Sequence, residues 1–289
     1  MKHYKSKCIN SLKYFIFIII YFLYYTRAIT YNPFINLTTN FIYCFFIKRK
    51  KRAIKNIKLA LLIDTGKALK LYKKSLYIEI SNFLTFAFLM ARLIKNEHID
   101  NISVNNSNIL DELMKNNRPK IALSGHIGNF PLMLIALARK GYPVSVIYRE
   151  SKYFGGNAFK KVLNFYNITA IAYNKSDNMI KHITQSLKKG EFVFFMIDQR
   201  GKNCVNVKLF NRDIHVFYGP IVFAKKLDAL IVPIFTYYNM EKHIIDVLEP
   251  LSLDYNESVI KNTQLMLSYI EYFIIKHPDN WNWAYYNWY

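Results

Sequence analysis

Short apolar runs that alternate with helix-forming segments constrain the fold of this chain more than any other feature. Five runs, rich in β-branched and aromatic residues, cover residues 120–124, 144–148, 168–172, 192–197 and 230–235. Segments with helical spacing of apolar residues lie between them, at 132–139, 157–165, 178–188 and 220–227. Because strands that alternate with helices form parallel sheets covered on both faces, we predict an α/β fold with a mostly parallel central sheet flanked by helices.

Further helices are predicted on both sides of this region. Residues 53–62 and 75–95 have helical apolar spacing and are separated by a polar stretch at 64–66. A C-terminal helix is predicted at about 257–276, ending before a His-Pro pair. The aromatic segment 281–289 that follows is typical either of a membrane-interface anchor or of packing against that helix.

The N-terminal region is apolar and ends in a basic run. Residues 14–26 are uncharged, but as a helix they would reach only about 20 Å, less than the roughly 30 Å of a hydrocarbon core. A second apolar stretch, 41–47, is followed by five consecutive basic residues at 48–52. We therefore predict a membrane-anchoring helix segment at 1–47 and a catalytic α/β domain at 48–289. The alternative is a cleaved signal peptide followed by a solvated basic surface.

Charge and cysteine content limit the classes of partner and site. The chain has 40 basic and 19 acidic residues, a net charge of +21, which favours anionic partners. Its aromatic fraction of 17% favours an anionic membrane over nucleic acid, for which we find no recognition motif. None of the three cysteines forms a CxxC pair, so neither a disulfide framework nor a thiolate metal site is predicted.

The junction after the first predicted strand is the best candidate for chemistry. It reads Ser-Gly-His-Ile-Gly-Asn-Phe-Pro from Ser124 to Pro131 and leads directly into a helix. Two glycines permit a tight turn, and the helix N-terminus beside His126 favours a neutral imidazole, which can act as a general base. The alternative is that His126 only caps or packs against the helix.

These residues resemble the GHxGNW block of the late acyltransferases of lipid A biosynthesis. Further matches in order along the chain extend the resemblance over most of its length: the basic segment 50–57, Ile147-Tyr148-Arg149, Met196-Ile197-Asp198-Gln199, Leu209-Phe210, Gly219-Pro220, residues 231–235 and the ending His277 to Trp283. The resemblance implies transfer of a fatty acyl chain from acyl carrier protein or acyl-CoA to a hydroxyl of a phosphorylated glycolipid. It also implies work at the cytoplasmic face of the bacterial inner membrane, with no metal and no cofactor.

The resemblance implies a role for each of six residues. His126 would be the general base and Asp198 the acid that orients it; substrate would be bound by the remaining four, Asn129, Arg149, Gln199 and Arg200. In that family an Asp or Glu stands five positions after the histidine, where this chain has Pro131. Asp198 is therefore predicted to replace the motif acid.

Two other functions remain open at this point. Pro131 favours a catalytically silent homologue that binds anionic lipid or a partner through the same cleft. An acyltransferase acting on lysophospholipid or glycerol phosphate would share the chemistry but use a different acceptor.

Overall fold

A computed structural model describes residues 31–90, 96–149, 158–173, 178–198 and 204–286. The chain divides into two compact units, Met1–Ile47 and Lys48–Tyr289. In the first unit, helix α1 (Tyr31–Phe45) exposes several large apolar side chains, among them Leu37 and Phe41. Of the predicted anchor segment 1–47, residues 1–30, which include the apolar stretch 14–26, lie outside the described residues. In the described part of the chain, no helix is both long enough and apolar enough to cross a bilayer.

The second unit contains the remaining helices and all the strands of the described residues. Its helices are α2 (Ile47–Leu61, with its first residue in the first unit), α3 (Thr65–Met90), α4 (Asn96–Asp100), α5 (Ser107–Lys115), α6 (Phe130–Arg139), α7 (Ala158–Phe165), α8 (Asn178–Lys188), α9 (Gly219–Leu227), α10 (Val259–Lys276) and the 3₁₀ helix Pro278–Asn280. Its strands are β1 (Ser103–Asn105), β2 (Lys120–Ser124), β3 (Val144–Tyr148), β4 (Thr169–Ala172), β5 (Phe192–Met196), β6 (Cys204–Leu209), β7 (Arg212–Phe217), β8 (Leu230–Tyr238) and β9 (His243–Val247).

Seven strands form one sheet in the order β1-β9-β8-β2-β5-β3-β4. The pairings from β8 through β4 are all parallel, whereas β9 runs antiparallel to β8 and parallel to β1. The prediction of a mostly parallel central sheet flanked by helices is thus confirmed. Strands β6 and β7 form a separate antiparallel hairpin.

The core lies on both faces of the central strands. Every residue of β2 is buried, as are the first four residues of β5, because helices cover both faces of the sheet. Helix α6 contributes a continuous buried run from Leu132 to Leu137. These buried strands hold their carboxyl ends in fixed positions at one edge of the sheet, where ligands bind in open α/β folds.

The C-terminal segment packs into the core after helix α10. Trp281, Trp283 and Tyr286 are all at most 4% exposed. On helix α2, the buried Asn56 side chain donates 2.8 Å hydrogen bonds to the carbonyl oxygens of Trp283 and Tyr286. Of the two alternatives for the aromatic end, the structure shows internal packing for Trp281, Trp283 and Tyr286, whereas Tyr285 is exposed.

Candidate active site

The loop after β2 presents His126 at the carboxyl edge of the sheet. Gly125 allows a close approach, because a Cβ atom there would lie 3.3 Å from the Cγ of Asp198. Gly128 has φ +58°, and its amide donates a 2.8 Å hydrogen bond to the carbonyl oxygen of Asn280. The two glycines therefore let the chain turn sharply while it stays packed against the end of the chain.

Helix α6 begins immediately after this turn. Asn129 is its N-cap, since its side-chain oxygen accepts a 3.2 Å hydrogen bond from the amide of Leu132. Pro131 lies in the first turn, where its missing N–H leaves no helical hydrogen bond unmade. Pro131 thus shapes the start of the helix at the position that holds an acid in the family motif.

Asp198 lies opposite His126 because their strands are neighbours. Strands β2 and β5 pair in parallel, with Ser124 beside Met196, so the residues two positions beyond each pair meet at the same edge. Asp198 Oδ1 lies 2.7 Å from His126 Nδ1, and Asp198 Oδ2 accepts a 2.9 Å hydrogen bond from the backbone amide of His126. One carboxylate therefore fixes both the ring and the main chain of the histidine.

The environment of Asp198 keeps it ionised. Burial raises the pKa of this carboxyl, but the adjacent His126 ring and the hydrogen bonds from His126 and Trp281 outweigh burial and bring the pKa below its usual range. An ionised carboxylate can only accept hydrogen bonds, so Nδ1 of His126 carries a proton. In the neutral ring, Nε2 then has the free electron pair.

Two aromatic residues from the C-terminal segment also donate hydrogen bonds to Asp198. Trp281 Nε1 lies 3.4 Å from Asp198 Oδ2, and the Tyr286 hydroxyl donates to the backbone carbonyl of Asp198. Sequence analysis missed both as site residues. The resemblance of residues 277–283 to the family's ending was the available signal, but it carried no information on contact with Asp198.

A cavity of about 310 Å³ opens beside His126, whose side chain is 32% exposed. Its lining is mostly aromatic and aliphatic, with Arg149 as its one lysine or arginine among the described residues: His126, Phe130, Val146, Ile147, Tyr148, Arg149, Phe159, Tyr173, Met179, Phe195, Met196 and Phe217. The guanidinium carbon of Arg149 lies 5.3 Å from the ring centroid of Tyr173. The arrangement suits an apolar ligand with an anionic end near Arg149.

The structure brings together three of the six predicted site residues. His126 and Asp198 are in contact, and Arg149 lines the same cavity as His126. Asn129 is buried and lines neither this cavity nor the smaller one described below, so its contact with substrate stays a prediction. Gln199 and Arg200 lie outside the described residues.

The site contains an acid–histidine pair. Among the described residues, no group of three or more His, Cys, Asp or Glu side chains is placed to hold a metal ion. A buried carboxylate that orients a partly exposed imidazole beside an apolar cavity can support proton transfer to and from a bound substrate.

Comparison with known protein families identifies the family of the chain. A family model described as bacterial lipid A biosynthesis acyltransferase matches residues 2–289. No individual curated protein matches the chain. Because the family match extends over nearly the whole length, the chain belongs to the bacterial lipid A biosynthesis acyltransferases.

Proposed function

We propose that this protein transfers a fatty acyl chain from acyl carrier protein or acyl-CoA to a hydroxyl of a phosphorylated lipid A precursor. Family membership implies acyl transfer in lipid A biosynthesis. The observation that supports this reaction at this site is the contact of His126 with Asp198 at the edge of an apolar cavity. An acyl chain would occupy the cavity, with its thioester beside the imidazole.

In this reaction, His126 acts as the general base. Its Nε2 takes the proton of the acceptor hydroxyl while the hydroxyl oxygen attacks the thioester carbonyl carbon. The C–S bond then breaks, and the imidazolium returns its proton to the leaving sulfur, which gives an ester and a free thiol. Asp198 holds the ring in the required tautomer and stabilises the imidazolium, as the acid of a Ser-His-Asp triad does.

Arg149 binds the anionic part of the donor or acceptor. Its guanidinium lies at the cavity lining beside Tyr173, and a planar guanidinium can bind two phosphate oxygens at once. Substrate contacts from Asn129, Gln199 and Arg200 are part of the same proposal.

The anionic inner membrane would hold the protein near its acceptor. Helix α2 buries Ala53, Asn56 and Ile57, while Lys48, Lys51 and Lys55 are exposed on the other side of the helix.

Each lysine near an anionic surface contributes about 1 kcal/mol of binding free energy, so Lys51→Glu should weaken binding to vesicles containing phosphatidylglycerol several-fold at low salt. If the wild type bound neutral vesicles as well as vesicles containing phosphatidylglycerol, these lysines would not form an anionic-membrane-binding surface.

The absence of the motif acid favours a second candidate, a silent homologue that binds lipid without transferring an acyl group. Pro131 stands where the family has Asp or Glu, and proline accepts no proton. The contact of Asp198 with His126 favours the active enzyme, because it supplies a carboxylate from another strand.

An acyl-transfer assay separates the two candidates. With the full chain in membranes, a labelled acyl donor and a tetra-acylated lipid A precursor, we expect product from the wild type. We expect background from His126→Ala, because the described residues that line the larger cavity include no other histidine and no carboxylate. His215→Ala, on an exposed position of β7, is the matched control and should keep its activity. Lipid binding without product from the wild type would support the silent homologue.

A further inference from the structure

A second cavity meets the site at His126 and has a different chemical character. It has a volume of about 90 Å³ and is lined by Ser75, Ile78, Glu79, Asn82, His126, Gly128, Asp279, Asn280, Trp281 and Asn282. Among the residues that the structure describes, only His126 lines both cavities, so the histidine lies between an apolar space and a polar one. Since the smaller cavity has less than a third of the larger one's volume, a second acyl chain does not suit it.

One face of helix α3 forms a wall of this polar cavity. Ser75, Ile78, Glu79 and Asn82 recur at spacings of three and four, which places them on the same side of the helix. Ser75 donates a 2.7 Å hydrogen bond to the carbonyl oxygen of Trp281 and so ties the helix to the C-terminal wall.

Both carboxylates of the cavity form ion pairs with basic side chains. Arg49 donates to both oxygens of Glu79, at 2.7 and 2.5 Å, and Lys74 pairs with Asp279. The described lining itself has no lysine or arginine. A phosphate entering this space would find no unpaired cation in the described lining, so the cavity does not favour an anion.

Asn82 supplies the acceptor that lacks a partner. Its Oδ1 atom is buried, and among the described residues nothing donates a hydrogen bond to it. A buried carbonyl oxygen without a donor is costly, by about 1–3 kcal/mol. A half-turn of the amide would present this oxygen to the cavity that Asn82 lines, and a ligand hydroxyl bound there would supply the missing donor.

We infer that the polar cavity is the subsite for the acceptor's alcohol, and that Asn82 positions a neutral hydroxyl-bearing end of the acceptor against His126. This inference rests on the proposed function, because it assigns the acyl chain to the larger cavity and the hydroxyl to the smaller one. The phosphates of the acceptor lie outside the polar cavity. Asn82 is a positioning residue: its Oδ1 accepts a hydrogen bond from a neighbouring hydroxyl of the acceptor, and His126 takes the proton of the hydroxyl that is acylated.

Binding and kinetics of Asn82→Leu test the inference. With full-length protein in mixed micelles, titration calorimetry with a tetra-acylated lipid A precursor, in the absence of donor, should show a Kd at least tenfold weaker than for the wild type. The KM for this acceptor should rise similarly, whereas the Kd for lauroyl-CoA should stay within about twofold. Asn82→Asp keeps an accepting oxygen and should restore most of the acceptor binding. Asn164→Leu, at an exposed position of α7 that lines neither cavity, is the matched control.

The outcomes distinguish this inference from the proposed function. Acceptor binding that is unchanged in Asn82→Leu overturns the subsite, even if the protein transfers acyl chains. Equal losses of donor and acceptor binding also overturn it, because they show a general structural effect. Weakened acceptor binding alone, in a protein that forms no product, supports the subsite and contradicts the proposed acyl transfer.

Discussion

At Gly128 the backbone takes a conformation that only glycine adopts without strain. Its φ is +58°, and a Cβ atom would lie 2.4 Å from the carbonyl oxygen of Thr236, which belongs to the rigid backbone of β8. The turn that carries His126 therefore requires glycine at position 128. Sequence analysis identified this glycine as part of a tight turn, but the approach of β8 is a tertiary contact that no local pattern contains.

We expect Gly128→Ala to destabilise the protein by about 3 kcal/mol or more, from positive φ and from displacement of the β8 backbone. Urea unfolding measures the change. Gly141→Ala is the matched control, because Gly141 has φ +93° but nothing within 4 Å of the added Cβ, so only the strain of about 1–2 kcal/mol applies. Equal losses for the two variants would show that the contact with Thr236 contributes nothing.

The residues of the acid–histidine pair could be predicted because each follows a buried strand. His126 comes after β2 and Asp198 after β5, and the carboxyl ends of parallel strands meet at one edge. Trp281 and Tyr286 could not be predicted in this way, since they lie 83 and 88 residues from Asp198 in the chain. Their contacts depend on how the C-terminal segment folds back over the sheet.

At the scale of elements, the continuous apolar strands were predictable and the half-polar ones were not. The predicted runs coincide with β2, β3, β4, β5 and β8 to within a few residues, because these segments are mostly apolar. Four of them are mostly buried, as expected for strands covered on both faces, whereas β4 lies at the sheet edge and is partly exposed. Strands β6 and β7 alternate exposed polar residues with buried ones, and β1 has only three residues. Such short or half-polar segments give weak local signals.

Helix α2 holds the C-terminal segment through a buried amide and through Arg52, which donates a 3.3 Å hydrogen bond to the carbonyl oxygen of Ala284. Asn56 is 1% exposed and bonds the carbonyl oxygens of Trp283 and Tyr286. In Asn56→Leu both carbonyls lose their donor, and we expect a loss of about 2 kcal/mol in the free energy of unfolding. Chemical denaturation tests this, with Asn164→Leu as the surface control. A change below about 0.5 kcal/mol would mean that other contacts hold the segment.

At the scale of the whole molecule, stability should fall in mild acid. Burial lowers the pKa of His243 from 6.5 to about 4. As the pH falls, His243 is protonated in the unfolded chain before it is protonated in the folded protein. Its contribution to the free energy of unfolding is therefore complete above about pH 6.5 and is lost progressively down to about pH 4. The linkage relation gives about 2 kcal/mol of loss at pH 5 for this one group. His277, whose pKa is also lowered, first by burial and then by Lys276, adds a loss in the same direction.

Urea midpoints at pH 7.5 and pH 5 measure this effect. His243→Phe removes the titrating group, so the difference between the two pH values should shrink by about 2 kcal/mol relative to the wild type. His182→Phe, at an exposed position of α8, should leave the difference unchanged. An equal pH dependence in the wild type and His243→Phe would show that His243 is not the group responsible.

The overall architecture joins an apolar cavity, a polar cavity and an acid–histidine pair at one edge of a parallel sheet. The acid of this pair, Asp198, follows β5. The family motif instead has its acid in the helix that follows the histidine. The proposed reaction therefore depends on Asp198 acting in place of an acid at position 131, where this chain has proline.

Acyl transfer by Asp198→Asn tests this most directly. The amide keeps the size of the side chain but removes the charge that selects the tautomer and stabilises the imidazolium, and loss of the acid in comparable triads costs about 10⁴-fold in kcat. We expect the rate to fall at least 100-fold with little change in melting temperature, whereas Asp213→Asn, exposed on the β6–β7 hairpin, should match the wild type. Transfer by Asp198→Asn within twofold of the wild-type rate would contradict the assignment.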